Sequence, residues 1–178
     1  MVSDANDSGD QTIAEYLAAH GIGCVPSDDG ESTVSVPVLP GWSELPVGEV
    51  SGAVQVLVCL GAATEGFTPN AVLTHGRLTA AAEPGDVLAR AFADSRRLPG
   101  WQDVELSTAE FHGRPSAFIR GIYAVEPWNL DATTRYVVSD GKQGQYLTQL
   151  TVTSLASRDG DLATDVAVLN LGLEITQR

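Results

Sequence analysis

Residues 114–154 read RPSAFIRGIYAVEPWNLDATTRYVVSDGKQGQYLTQLTVTS. Three segments inside this stretch, 114–125, 133–140 and 144–154, are rich in β-branched and aromatic residues, as strands are. SDGKQG (139–144) is a short glycine-bearing link of the hairpin kind. HGRP (112–115) is another, and it joins WQDVELSTAEF (101–111) to the same run. Strands that follow one another through tight turns pair antiparallel, so the second half of the chain reads as a sheet.

The first half adds strands and helices in alternation. QTIAEYLAAHGI places Ile13, Tyr16 and Leu17 on one helical face, with Gly21 as the left-handed stop, so a helix is expected near 10–20. SDDGE (27–31) is a turn. STVSVPVLPGW alternates at Val34, Val36 and Val38, and Pro37 marks it as an edge or interrupted strand. GAVQVLVCLGA (52–62) is apolar on both faces and reads as a covered central strand, and PNAVLTHGRLT (69–79) is a third. EPGDVLARAFADSRRL (83–98) is a second helix burying Val87, Leu88, Ala91, Phe92 and Ser95. RDGDLATDVAVLNLGLEIT (158–176) is a third, with Leu162, Val166, Leu169 and Leu173 at helical spacing and an Asp at its start suited to capping. The order is helix, three strands, helix, four strands, helix, which is an α+β domain over 10–178 behind a polar, flexible tail at 1–9.

LPGW occurs twice, at 39–42 and 98–101, once after a strand and once after a helix. The flanking sequences diverge, so this is shared local physics rather than a repeat. Pro-Gly sets a type II turn, and the Leu and Trp on either side pack back onto the element just left. Trp42 and Trp101 therefore read as anchors at chain reversals, with a place at a pocket rim as the sharper reading.

At 178 residues the chain is long enough for a sizeable core. Its net charge is -13, and Lys142 is its one lysine, which excludes nucleic acid and peripheral attachment to an anionic membrane. Cys24 and Cys59 lack metal-ligand or CxxC spacing, Cys59 reads as a buried thiol, and they pair only if the fold brings them together. No apolar run is long enough for a membrane-spanning helix. MVSDANDSGDQ is no signal peptide, so the chain as it stands reads as cytoplasmic, or as an envelope protein if a leader was removed.

Catalytic chemistry finds no foothold. There is no G-x-S-x-G, phosphate-binding loop or H-E-x-x-H. His20, His75 and His112 fall in separate elements and read as surface or helix-end residues, while Asp131 and Asp140 read as turn residues. The expectation is no catalytic residue, no metal, no cofactor and no enzyme.

Two arginines inside strands stand out. Arg120 shares its side of the strand with Phe118 and Ile122, and Arg135 shares its side with Val137. If the two strands form a hairpin, both guanidinium groups lie on one face. Each then pairs with an internal carboxylate, snorkels out, or holds an anionic group at one end of an apolar groove. Tyr123, Trp128 and Tyr136 are the candidates to line such a groove, with EPWNLD (126–131) as its rim. The candidate ligand or partner surface is thus Trp128, Arg120, Arg135, Tyr123, Tyr136, Trp42 and Trp101.

TIAEYLAAHGI, VSVPVLPGW, FTPNAVLTHGRL, the helix closing on LPGW, HGRPSAFIRGIY and YLTQLTVT, in that order, resemble the LpqN/LpqT family of mycobacterial and related actinobacterial lipoproteins. The resemblance runs over roughly 10–173 and rests on structural motifs. It implies a PsbP-like α-β-α sandwich, with a central antiparallel sheet of about six to seven strands and helices on both faces. It also implies a non-enzymatic envelope protein linked to lipid or glycolipid handling and partner binding, with no catalytic residues to carry over. Family members begin with a secretion signal and a lipobox cysteine. This sequence shows neither, and Cys24, after the first helix, is not a lipobox. The leading expectation is an accessory or adaptor protein that binds a partner protein; the alternative is a carrier for a lipid or other amphipathic small molecule.

Overall fold

The strands read from 114–154 form the centre of one sheet. The computed structural model describes residues 10–27 and 32–177. The tail at 1–9 and most of the SDDGE turn (28–31) lie outside the described residues, as does the side chain of Asp159.

In chain order the elements are α1 (Ile13–Ala19), β1 (Cys24–Pro26), β2 (Ser32–Ser35), β3 (Ser43–Leu45), β4 (Ala53–Val58), β5 (Asn70–Leu78), α2 (Pro84–Leu88), α3 (Ala93–Arg96), β6 (Gln102–Ser107), β7 (Ser116–Val125), β8 (Trp128–Gly141), β9 (Gly144–Leu155), α4 (Asp159–Leu171) and β10 (Glu174–Gln177). Among the described residues an eight-stranded antiparallel sheet runs β3-β4-β5-β9-β8-β7-β6, with β1 on the far end of β5. β8 and β9 are a long hairpin closed by Lys142 and Gln143, with Gly141 opposite Gly144. Glu126 and Pro127 alone link β7 to β8, so most of EPWNLD belongs to β8 rather than to a long connection.

Helices cover both faces. On one face α4 contributes Leu162 and Leu169 to a core with Val36, Trp42, Leu57, Leu73, Val137, Leu150 and Val152. On the other, α1 and α2 pack Ile13, Tyr16, Leu17, Val87 and Leu88 onto Leu78, Ala117, Tyr136 and Val138. Tyr136, Val137 and Val138 are all buried because adjacent strand residues point to opposite, covered faces. Each such side chain stabilises the fold by about 1.5–3 kcal/mol.

Local signals explain most boundaries. Thr12 caps α1 by accepting from Glu15 N at 3.1 Å, and the Glu15 carboxylate accepts from Thr12 N at 2.8 Å. Both LPGW copies are turns: Trp42 N donates to Leu39 O at 3.0 Å and Trp101 N to Leu98 O at 3.2 Å, with positive φ at Gly41 and Gly100.

Three expectations are corrected. The helix over 83–98 breaks into α2 and α3, although Val87, Leu88, Ala91 and Ser95 still point inward. The last helix stops at Leu171, where Gly172 approaches Val168 O and Pro37, and the chain turns into β10, paired with β2. β2 ends at Ser35, so Val36 is buried beyond the strand and Val38 is 52% exposed. There the Gln55 side chain replaces a strand partner: Oε1 accepts from Val36 N at 2.8 Å and Nε2 donates to Val36 O at 3.1 Å. Cys59 is buried beside Pro69 and Cys24 lies beside Leu78, at opposite ends of β5 and both free. They are separated by roughly 3.3 Å per residue along that strand and cannot pair.

Two measurements follow. A Cβ at Gly121 would lie 2.6 Å from Gln102 O and would strike the Trp101 ring. Gly121→Ala is expected to lower the urea unfolding free energy by about 1–3 kcal/mol. Hydrogen bonds from Arg97 and from Thr12 N pull the Glu15 carboxyl from 4.5 down to about 2. Its contribution to stability is therefore present above its unfolded value and lost as pH falls through about 2. Side-chain NMR should show Glu15 titrating near 2, returning towards 4.5 in Arg97→Gln.

Candidate functional site

The β7–β8 pairing decides which polar groups meet. Phe118 lies opposite Arg135, Arg120 opposite Thr133 and Ile122 opposite Asp131. Partners across an antiparallel ladder share a face, so both arginines point to the α4 side. β6 continues the row, with Glu105 opposite Arg120 and Ser107 opposite Phe118. Between this row and α4 is an open cleft of about 460 Å³. Glu105, Ser107 and Glu110 line one wall; Phe111, Phe118, Arg120, Thr133 and Arg135 the floor; Ala163, Val166, Ala167, Asn170 and Leu171 the helix side.

The HGRP turn positions Phe111. Phe111 N donates to Arg114 O at 2.9 Å and Arg114 N to Phe111 O at 3.0 Å, with positive φ at His112 and Gly113. The Phe111 ring thereby reaches the Arg135 guanidinium, whose Cζ lies 4.4 Å from that ring centroid and 4.9 Å from the Phe118 centroid. Burial pushes the Arg135 pKa down, and the charge of Glu105 acts the other way.

The two arginines differ in their partners. Arg120 Nε donates to both oxygens of Asp131 at 3.2 Å, and Nη2 donates to Oδ2 at 2.9 Å. Asp131 is only 5% exposed, so the turn role expected of it gives way to a buried ion pair. Arg135 stands over two aromatic rings, and its buried Nε has no hydrogen-bond partner among the described residues. Asn170 Nδ2 donates to Thr133 Oγ1 and to Val166 O, both at 2.9 Å. Asn170 Oδ1 and Ser116 Oγ are likewise buried without a partner. Ser116 lies opposite Val137, on the same face as Arg135, so these unsatisfied atoms collect on one side of the sheet.

The other residues singled out in the sequence fall elsewhere, which corrects the expected groove lining. Tyr136 points to the opposite face, buried against α1 and α2, where burial pushes its phenol pKa up. Tyr123 also faces away from the cleft and packs near Trp101, ring centroids 6.1 Å apart, over Gly121. Trp101 Nε1 donates to Asp103 at 2.7 Å. Trp128 Nε1 donates to Glu65 O at 2.8 Å, and its ring sits beside Phe67. Trp42 is buried and donates to Asp165 of α4 at 2.9 Å. His75 is a core residue rather than a surface one, sharing hydrogen bonds with Thr148 and Ser32 and stacked on Tyr146.

Sequence reasoning places Phe118 beside Arg120 without making it a site residue, and does not single out Phe111, Thr133, Asn170 or Glu105. One signal was available for Asn170, a carboxamide four residues after Val166 on the apolar stripe of α4. Arg120→Gln would leave the Asp131 carboxylate buried without its partner, and is expected to cost about 3 kcal/mol or more in urea unfolding. Adding Asp131→Asn should restore part of that loss.

Residues 9–176 match the family described as Probable lipoprotein LpqN. LpqT of Mycobacterium leprae is 30% identical over 172 residues, 93% of this chain and 77% of that protein. The Proline-rich 28 kDa antigen of Mycobacterium tuberculosis is 32% identical over 139 residues, and the match spans only 44% of that protein. The crystal structure of LpqN, involved in cell envelope biogenesis of Mycobacterium tuberculosis, superposes with a TM-score of 0.83 at 26% identity, covering 94% of this chain and 98% of that one. The chain belongs to the family of the lipoprotein LpqN.

Proposed function

We propose that this protein is a non-enzymatic binding module of the cell envelope that holds an amphipathic small molecule in the cleft between α4 and the β6–β8 side of the sheet. The observation that carries this reading is the cleft itself: about 460 Å³, apolar at Phe111, Phe118, Val166 and Leu171, with polar groups converging at Thr133, Arg135 and Asn170. That size and mixture are those of small-molecule sites. The envelope setting is carried over from the LpqN relative. The carrier reading is favoured over the adaptor reading because Trp42 is held inside the core, and Trp101 and Trp128 are half-buried with their indole N–H groups already bonded to neighbouring oxygens.

The adaptor reading keeps one observation of its own. β6 is the outer strand on its side of the sheet, with Val104 52% and Leu106 43% exposed. Such an edge is a template for strand addition by another protein.

The test is an amide NMR titration with decyl maltoside below its micelle concentration. Shifts at Phe111, Phe118, Thr133 and Val166 are expected, and Val166→Arg should weaken binding about tenfold or more by filling the cleft with a charged side chain. Shifts confined to residues outside the cleft would count against this site, and a spectrum left unperturbed by decyl maltoside, decanoate and decyl phosphate alike would sink the carrier reading.

A further inference from the structure

We infer that the preferred occupant of this cleft carries an acid headgroup, a carboxylate or a phosphate monoester, whose oxygens accept hydrogen bonds from the Arg135 guanidinium. The inference rests on the binding reading above and names the ligand class and the residue that selects it.

Two neighbouring cations on this face meet different surroundings. Arg120 has a forked carboxylate in Asp131, so its charge is balanced inside the protein. Arg135 lies diagonally across the β7–β8 ladder on the same face and has no carboxylate within ion-pair distance among the described residues. It stands over the rings of Phe111 and Phe118, which attract a cation but offer no oxygen to accept its N–H groups. A guanidinium drawn partly out of water without acceptors is costly unless a bound group supplies them. Acid oxygens do so with short, charge-assisted bonds, stronger than those a neutral hydroxyl accepts.

A second observation points to the same end of the cleft. Asn170 is 5% exposed, lines the cleft, and leaves Oδ1 without a donor. Its Nδ2 is anchored to Thr133, two residues from Arg135 on the same strand and face, about 7 Å along the strand. The cleft floor that carries Arg135 thus also holds, beside Thr133, a buried acceptor without a donor among the described residues. A singly protonated phosphate monoester carries an O–H for it, and an ionised carboxylate does not, so the two headgroups are separable by experiment.

The opposing charges are Glu105 and Glu110, both exposed at the mouth. Both repel an acid. They remain in water, where screening weakens them, whereas the contact with Arg135 forms against the aromatic floor. Their position makes Glu105 a lever on affinity that leaves the floor unaltered.

Calorimetric titration of the full chain with decanoate, decyl phosphate and decyl maltoside, all below their micelle concentrations, tests this. At least one acid should bind about tenfold or more tightly than the neutral sugar amphiphile. Arg135→Gln should bring acid binding to within about twofold of decyl maltoside binding in the same variant, and Arg135→Lys should keep part of the preference. Glu105→Gln, on the exposed rim, should raise acid binding relative to decyl maltoside binding roughly two- to fivefold; this arm stands even if the Arg135 variants do not fold. Preference for decyl phosphate would assign a phosphate monoester, and preference for decanoate a carboxylate. Equal binding of all three amphiphiles, or an equal loss of all three in a folded Arg135→Gln, would overturn the acid inference and leave the cleft as a binding site. No binding of any of them would sink both.

Discussion

The cleft depends on the register of β7 against β8. Ten consecutive pairs, from Ser116↔Val137 to Val125↔Trp128, hold the two strands in one alignment. Side chains alternate across a sheet, so a slip of one residue on β8 would turn Asp131, Thr133 and Arg135 to the α1–α2 side and bring Tyr136 under α4. The buried Arg120–Asp131 pair works against that slip, because either charge alone in the interior would be expensive. The interaction that neutralises one arginine thus also sets the position of the other.

The helix that closes the cleft is fixed by polar contacts on top of its apolar stripe. Trp42 reaches Asp165, and Asn170 reaches Thr133, tying α4 to the first LPGW turn and to the sheet floor. Gln55 holds Val36 beside the same core after β2 has ended. These bonds satisfy groups that would otherwise be buried unpaired. Arg135 Nε, Asn170 Oδ1 and Ser116 Oγ depart from that rule, and all three belong to the α4 side of the β7–β8 hairpin.

Much of the architecture was legible because its signals are local. The helix at the start, the two LPGW turns, the HGRP turn and the strands of the second half all follow from residues within a few positions of one another. Boundaries failed where a distant partner decides. β10 exists because β2 is there to pair with it, although LGLEIT extends a helical spacing. The site was half legible. Alternation put Arg120 beside Phe118 on one strand, but the same alternation places Tyr123 and Tyr136 on the other face, and nothing local shows which face α4 covers.

By itself the sequence determined the α+β class, the order of most elements, the shared face of the two strand arginines and the family resemblance, because strand alternation, helical spacing and Pro-Gly chemistry act over short range. Only the tertiary structure decided that Asp131 neutralises Arg120, that Phe111 and Phe118 both meet Arg135, and that Asn170 lines the same cleft. Those contacts join residues from the HGRP turn, β7, β8 and α4. Their meeting is set by sheet register and helix packing, which no single stretch of sequence encodes.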